Sequence, residues 1–453
     1  MSGGGRGPLV GGRQGAGTPV SGGRHGAGAL PGGRGPRGGP LGGRGRAYTI
    51  VALCLALLAA GVVAGVEWAR RWEGSVTLLG NWTGGDEDRF RREVLEPFER
   101  EHRIRVVYQG SSAESQVLAA DVEAGTPPDV VVMPGPGELA AYAGQGRLEP
   151  LDGLFDPDHY DPMWAPEVAG AVHWVPVKAD LKSMVWHPGA LPEAEVARIA
   201  RDPGEWCLAL ESGATSGWPG TDWVEDVLLQ QAGWETYQKW ATGRLPWTDG
   251  AVRKAWTTWG ALVGAGDRQR VQRALLANYA DPWGGSDPAC VKERLEHQAS
   301  FVRSGAHWMA VRGRYAHAKA VIPGARRDAT AWEVAGDLAA MLRDTPGARA
   351  LIRHLADPGT AQLGFTANRA VPTATYDADP MTGRVDATLR ARGTMRCWDA
   401  SDAMPPAMRD AFHQAALRFL AAPDELPQRL AVLEEMRARH RDAAWLPTVC
   451  GNG

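Results

Sequence analysis

The sequence predicts an α/β protein built on a parallel sheet and carried behind one membrane-spanning segment. Three observations lead there. Short apolar or alternating runs at Ser75–Gly80 (SVTLLG), Ile104–Tyr108 (IRVVY) and Asp129–Met133 (DVVVM) read as strands. Helical spacing fills the intervals between them, giving β-α-β-α-β within about sixty residues, the signature of parallel strands with right-handed crossovers. Upstream, Tyr48–Val66 is a run of 19 residues without a charge. At about 1.5 Å per residue that is long enough for a bilayer core of roughly 30 Å.

The first helix begins at Asp86, with Phe90, Val94 and Phe98 at four-residue spacing on one face and Pro97 as a possible kink. Ser115–Ala124 is the second helix, closed by Gly125. Ligands in such sheets sit beyond the carboxyl ends of the strands, which selects the loops Asn81–Asp86 and Pro134–Glu138. Further helices are expected at Asp222–Ala232, Thr236–Thr242, Ala251–Val263, Cys290–Val302, Ala348–Leu355, Ala407–Leu420 and Leu426–Arg439. Ala306–Val311 reads as a strand, and Val371-Pro372-Thr373 as a strand crossing between domains.

Residues 1–46 hold 20 glycines, seven arginines and no acid. With almost nothing apolar to bury, this tail is expected to be disordered. Its formal charge is +7 in a chain of −3, which leaves −10 for residues 47–453. The positive side faces the cytoplasm, so the acidic part is expected outside the cell membrane. Trp68 and Trp72 follow the run, where amphipathic rings prefer the headgroup layer. Three readings fit the run: an uncleaved signal anchor over about 47–69, a signal peptide cut near Ala64, or a lipoprotein signal at Cys54. The single-pass anchor is the expectation adopted.

Four further cysteines, Cys207, Cys290, Cys397 and Cys450, permit up to two disulfides with three possible full pairings. No CxxC or Cys/His spacing suggests a metal, and no cofactor is expected. Nineteen tryptophans are an unusual load, and 17 of them lie beyond residue 75. Most must be core. A few in polar, glycine-rich loops suit stacking on a ligand.

Several stretches resemble the extracellular solute-binding proteins of ABC importers, the maltose-binding-like family. They are GNWTGGDEDRFRREVLEPFEREHRIRVVY, GTPPDVVVMPGPGEL, GRLEPLD and VPVKADLKSMVWHPGAL, in the expected order. EWCLALESGATSGWPGTDWVEDVLL, AGDLAAMLRDTPGARALIRHLA and WDASDAMPP are similar to the subset that binds α-glucosides and related oligosaccharides. The resemblance covers about residues 75–440. It departs from the family in its long Gly/Arg tail, and in reading Gly364-Phe365-Thr366-Ala367-Asn368 after the late helix. It implies a two-lobed periplasmic-binding-protein type II fold with a cleft between the lobes. Lobe I then spans about 74–180 and 318–370, and lobe II about 181–317 and 371–450. The implied partners are a carbohydrate and the permease subunits of an importer, with the chain itself a monomer held to the membrane by its anchor.

Sugars present apolar C–H faces and a rim of hydroxyls, so a binder needs aromatic planes and charged or amide groups. Trp218, Asp222 and Trp223 supply both within SGWPGTDWVED, where Pro219-Gly220 reads as a turn and Asp222 as either a hydroxyl acceptor or a helix cap. Trp82 and Asp86 stand in the loop after the first strand, and Glu138 opens the helix after the third. Lys178 sits on a presumed crossing strand, and Trp283 lies in the rigid turn DPWGG. Asp399 and Asp402 read as turn formers.

No catalytic site is expected. A glycoside hydrolase needs two carboxylates about 5–9.5 Å apart, which 52 acids will offer somewhere by chance. No nucleophile elbow, HExxH or P-loop occurs. A hydrolase and an anchored sugar sensor remain as alternatives. An acidic exterior excludes a nucleic-acid binder.

Overall fold

The computed structural model describes residues 72–279, 290–297, 314–328, 330–377 and 379–452, with Leu53. The Gly/Arg tail, the apolar run except Leu53, the strand expected at Ala306–Val311 and Trp283 lie outside the described residues. Among the described residues no helix is long and apolar enough to cross a membrane.

The expected opening is present. Strands β1 (Gly74–Gly80), β2 (Ile104–Gly110) and β3 (Val130–Met133) are parallel, with β1 in the middle. Leu78 pairs with Tyr108 on one side and Val130 on the other. The helix after β1, Gly85–Phe90, passes through one turn of π-helix at Arg91–Leu95 before resuming at Glu96–His102. Pro97 lies at the start of that second piece. A proline lacks the N–H that a regular helix would use, so the distortion falls where it removes a hydrogen bond.

Strand β4 (Trp174–Leu181) leads through Lys182-Ser183 to β5 (Met184–His187). Strands β6 (Glu296–His297) and β7 (Arg314–His317) flank β5 in an antiparallel sheet of three. The long strand β8 (Ala331–Met341) then returns to the first sheet, beside β3 and β4 and antiparallel to both. Strand β9 (Met395–Trp398) runs parallel to β8, and β10 (Cys450–Gly451) closes the edge. The larger sheet thus has the order β10-β9-β8-β3-β1-β2, with β4 also on β8. Two connections, β4 to β5 and β7 to β8, carry the chain between the sheets. β9 and β10 belong to the larger sheet, although the sequence division put residues 371–450 in the second lobe.

All four residues of β3 are at most 1% exposed, because the strand is covered on both faces and flanked by β1 and β8. In the helical layer Trp240, Trp247, Trp256 and Trp259 surround Phe412 and Phe419 from the helix Pro406–Ala421, with Trp–Phe ring centroids 4.8–5.7 Å apart. This cluster takes four of the 19 tryptophans. Disulfides join Cys207 to Cys290 and Cys397 to Cys450, the latter across the β9–β10 register.

Three local expectations are corrected. Cys290–Val302 is not a helix where it is described: residues 290–295 are irregular and Glu296–His297 is a strand. The disulfide at Cys290 and the pairing of β6 with β5 override a weak helical pattern. Val371-Pro372-Thr373 is a loop entering a short 3-10 turn, Thr373–Thr375, and not a strand. The helix expected from Asp222 starts four residues earlier, at Trp218, with Pro219 in its first turn. Proline lacks an N–H, and the first helical N–H groups need no intrahelical acceptor, so Pro-Gly opens this helix instead of turning the chain. Gly217 precedes it at φ 108°, and a Cβ there would lie 2.5 Å from the carbonyl oxygen of His413. Only glycine fits.

Candidate functional site

A cleft of about 580 Å³ opens between residues that follow β1, residues of the second half of β4 and the middle of β8, and residues from the helical layer. Of the sequence candidates, Trp82, Asp86, Lys178 and Trp218 line it.

Trp82 follows β1 in the first of the two loops that the parallel sheet singled out. Its ring meets Phe90 edge-on at 4.6 Å, and its carbonyl accepts a hydrogen bond from the Tyr108 hydroxyl at 2.8 Å. Asp86 sits in the first turn of the helix Gly85–Phe90, and no side chain caps that helix. Across the cleft, Trp218 donates its indole N–H to Ser212 Oγ at 3.0 Å, and its ring meets Tyr279 at 4.2 Å. The ammonium of Lys182 lies 5.6 Å from the same ring, within cation–π range.

Lys178 and Lys182 belong to one face of the β4 stretch. Residues 178, 180 and 182 alternate outward together, as strand geometry requires. Lys178 Nζ lies 2.5 Å from Asp180 Oδ2 and 3.4 Å from Asp337 Oδ2. Asn81 donates to the other oxygen of Asp337 at 2.7 Å, which ties the β1 loop to β8. Burial works against the Lys178 charge, but Asp180 and Asp337 override it and raise its pKa.

Lys182 is the centre of a second, buried cluster at the cleft floor. Its ammonium contacts Asp399, lies 2.8 Å from Asp222 and reaches Glu333 at 3.8 Å. Glu225 accepts from the backbone N–H groups of Ala400 and Ser401 beside it. One ammonium does not hold four buried carboxylates ionised. Burial pushes Asp222 up to about 8, against the pull of Lys182, and the Asp399 charge adds to the rise. Burial likewise lifts Glu225 and Glu333 well above the carboxylate range. Asp399 goes the other way: burial opposes its charge, but Lys182 and the surrounding hydrogen bonds hold it below the usual value. Asp399 therefore carries the negative charge opposite Lys182 while its neighbours keep protons.

Glu138, Asp222 and Trp223 do not line the cleft. Glu138 lies behind the wall, accepting from Ser115 Oγ at 2.7 Å and from Arg409 at 2.8 Å. Asp222 is enclosed in the Lys182 cluster. Trp223 is 3% exposed, stacked on His297 at 4.3 Å and edge-on to Trp206 at 4.7 Å. The shifted helix start explains the split. Positions five apart on a helix differ by about 140° in direction, so Trp218 and Trp223 face different ways.

Comparison with known proteins gives the family. A model of the bacterial extracellular solute-binding proteins matches residues 83–289. The α-glucosides-binding periplasmic protein AglE of Rhizobium meliloti is 33% identical over 376 residues, covering 73% of this chain and 80% of its own length. The chain belongs to the bacterial extracellular solute-binding protein family. The osmoprotective compounds-binding protein GgtB of a Synechocystis species is 30% identical over 366 residues, covering 74% of this chain and 85% of its own. Among solved structures, the bacterial solute receptor AcbH superimposes with a TM-score of 0.60 at 14% identity, over 82% of this chain and 98% of that one. That superposition supports the two-lobed α/β fold. The family is one of solute-binding proteins and not of enzymes, which removes the hydrolase alternative.

In this solute-binding protein the cleft also takes in Glu114, Lys182, Asp337, Asp402 and Arg409, none of them a sequence candidate. Lys182 was legible from the alternation 178-180-182. Asp337 and Arg409 carried no local signal, since their partners are Asn81 and Glu138, each more than 250 residues away. Asp399 does shape a turn, capping Ala400–Ala403 through Asp402 N–H at 3.0 Å, and it faces the cleft as well.

Proposed function

We propose that the chain is the extracellular sugar-binding component of an ABC importer, taking an oligosaccharide such as an α-glucoside between two lobes and presenting it to permease subunits. The observation that carries this reading is the pairing of half-buried Trp82 and Trp218 with a polar, hydrogen-bonding wall in one cleft. The relatives support it, since AglE is named for α-glucosides. In this reading Trp82 and Trp218 stack on sugar faces, and Asp86 and Lys178 meet hydroxyls. Glu138 and Asp222 act from behind the wall, Trp223 is structural, and Trp283, outside the described residues, remains a candidate. The lobes divide at about 74–180 with 318–370 and 181–317 with 371–450, with β9 and β10 joining the first sheet. The chain acts as a monomer, held to the membrane at 47–69 with its arginine-rich tail inside the cell.

Calorimetry of the purified chain against maltose, trehalose and longer glucans tests the binding claim. At least one should bind at micromolar or tighter levels, about −8 kcal/mol or better. Failure of all of them, with binding of a non-sugar osmolyte, would favour an osmoprotectant instead, the ligand class named for GgtB. Mass spectrometry of membrane-extracted protein tests the anchor: a mature N-terminus at Gly65, or a lipidated Cys54, overturns it.

A further inference from the structure

We infer that the cleft is built to accept an uncharged or amine-bearing sugar and to refuse one that carries a phosphate or carboxylate. This rests on the sugar-binding reading above and adds the charge class of the ligand.

Four basic side chains and seven acidic ones line the cleft among the described residues. Each of the four cations is already committed to protein oxygens. Lys178 is held by Asp180 and Asp337, and Lys182 by Asp222 and Asp399. Arg409 lies between Glu138 at 2.8 Å and Asp410 at 3.0 Å. Arg89 pairs with Glu93 at 2.9 Å and donates to the carbonyls of Leu363 and Gln362 at 3.3 and 3.1 Å. On the acidic side, Asp86 reaches the cleft and makes no ion pair with a described residue.

Among the described residues an incoming anion finds no cation without a protein partner. To gain Lys178, Lys182 or Arg409 it must displace a carboxylate that is itself buried, Asp180 or Asp337, Asp399, or Glu138, a costly exchange, whereas Glu93 on Arg89 is 40% exposed. It also meets Asp86 on the cleft wall, and like charges at short range are strongly disfavoured. Hydroxyl and ammonium groups meet acceptors instead. Glu138 is the specificity-determining residue in this scheme. It does not line the cleft, yet its charge neutralises the guanidinium that does.

The test compares isosteres that differ in charge at one sugar position: trehalose, trehalose 6-phosphate and 6-amino-6-deoxytrehalose, with maltose and maltose 6′-phosphate as a second series. Calorimetry on the full chain should show the phosphates at least tenfold weaker than the parent sugars, and the amine within threefold of trehalose or tighter. Glu138→Gln keeps an acceptor for Ser115 and Arg409 but removes the charge, so the ratio of phosphate to parent affinity should rise at least fivefold. Asp86→Asn, an independent substitution, should move the ratio the same way. A phosphate that binds wild type within threefold of its parent overturns the inference while leaving sugar binding intact. A ratio unmoved in both variants overturns the assigned cause. Binding by none of the five compounds removes the α-glucoside reading and the inference with it.

Discussion

The ammonium of Lys182 lies 2.8 Å from the carboxyl group of Asp222, with each side chain only 5% exposed. Lys182 follows β4, where the chain leaves the larger sheet, and Asp222 lies on the helix Trp218–Ala232 of the helical layer. The contact therefore bonds the crossing segment to the helices behind the cleft, with Asp399 and Glu333 on the same ammonium.

This arrangement fixes the sign of a pH dependence. Asp222 is pushed up to about 8 in the folded chain, against about 4 for an unfolded aspartate. The native state holds a proton that the unfolded chain releases. The stability so gained is complete below pH ~4 and is lost as pH rises towards 8. His317 and His413, pushed down to about 4 mainly by burial, act in the opposite sense, but only below their ordinary value of 6.5. Between pH 6.5 and 8 the carboxyls dominate. Stability should fall there by on the order of 1 kcal/mol per pH unit from Asp222 alone. Thermal melting at intervals across this range reads it. Asp222→Asn should show a shallower fall, and equal slopes in the two proteins would refute the assignment.

Replacing Lys182 should be more damaging than its single charge suggests. Lys182→Met leaves Asp399 ionised and buried without a counter-ion, and such a loss typically costs about 3–5 kcal/mol. Adding Asp399→Asn removes the stranded charge and should restore part of the loss. Urea denaturation of both variants decides the matter. A double variant no more stable than the single one would mean that Asp399 does not carry the charge.

The sheet was more legible than the site, and particular residues show why. Strands β1 to β3 stood out because their apolar runs are local and their crossover helices short. Trp82 and Asp86 followed from strand order alone, since ligands gather at strand ends. Asp337 and Arg409 did not, because what brings them to the cleft is a contact with a distant part of the chain. Trp218 and Trp223 looked equivalent while Pro219-Gly220 read as a turn. Once the helix starts at Trp218, helical geometry alone separates them. The cysteine pairing was open for the same reason: spacing does not reveal that residues 397 and 450 face each other on adjacent strands.

The Cys397–Cys450 bond fastens the two-residue strand β10 to the sheet edge. So short a strand has little pairing of its own to hold it. Replacing both cysteines by serine should lower stability by about 2–4 kcal/mol, chiefly by freeing the unfolded chain. Differential scanning calorimetry checks the loss. Hydrogen exchange at Cys450 and Gly451 should quicken beyond the change at β3. Unaltered melting would show that the bond constrains nothing the sheet does not already hold.

The two tryptophans of the helix Trp218–Ala232 should separate affinity from stability. Trp218 is half-buried at the cleft wall, so Trp218→Ala removes a stacking plane. Aromatic anchors at binding sites typically cost ~2 kcal/mol or more on truncation, about thirtyfold in affinity. Trp218→Ala also releases Ser212 and Tyr279, which sets some loss of stability beside the loss of affinity. Trp223 touches no part of the cleft and fills space between Trp206 and His297. Trp223→Ala leaves a cavity there and should cost about 3–5 kcal/mol of folding. Affinity per folded molecule should stay within twofold of wild type. Calorimetric titration with the preferred sugar, beside thermal melting without it, measures both quantities on both variants. If Trp218→Ala binds as tightly as wild type while melting lower, that ring supports the wall without touching the ligand. If Trp223→Ala loses affinity with its fold intact, the helix must present its other face to the cleft when the sugar is bound.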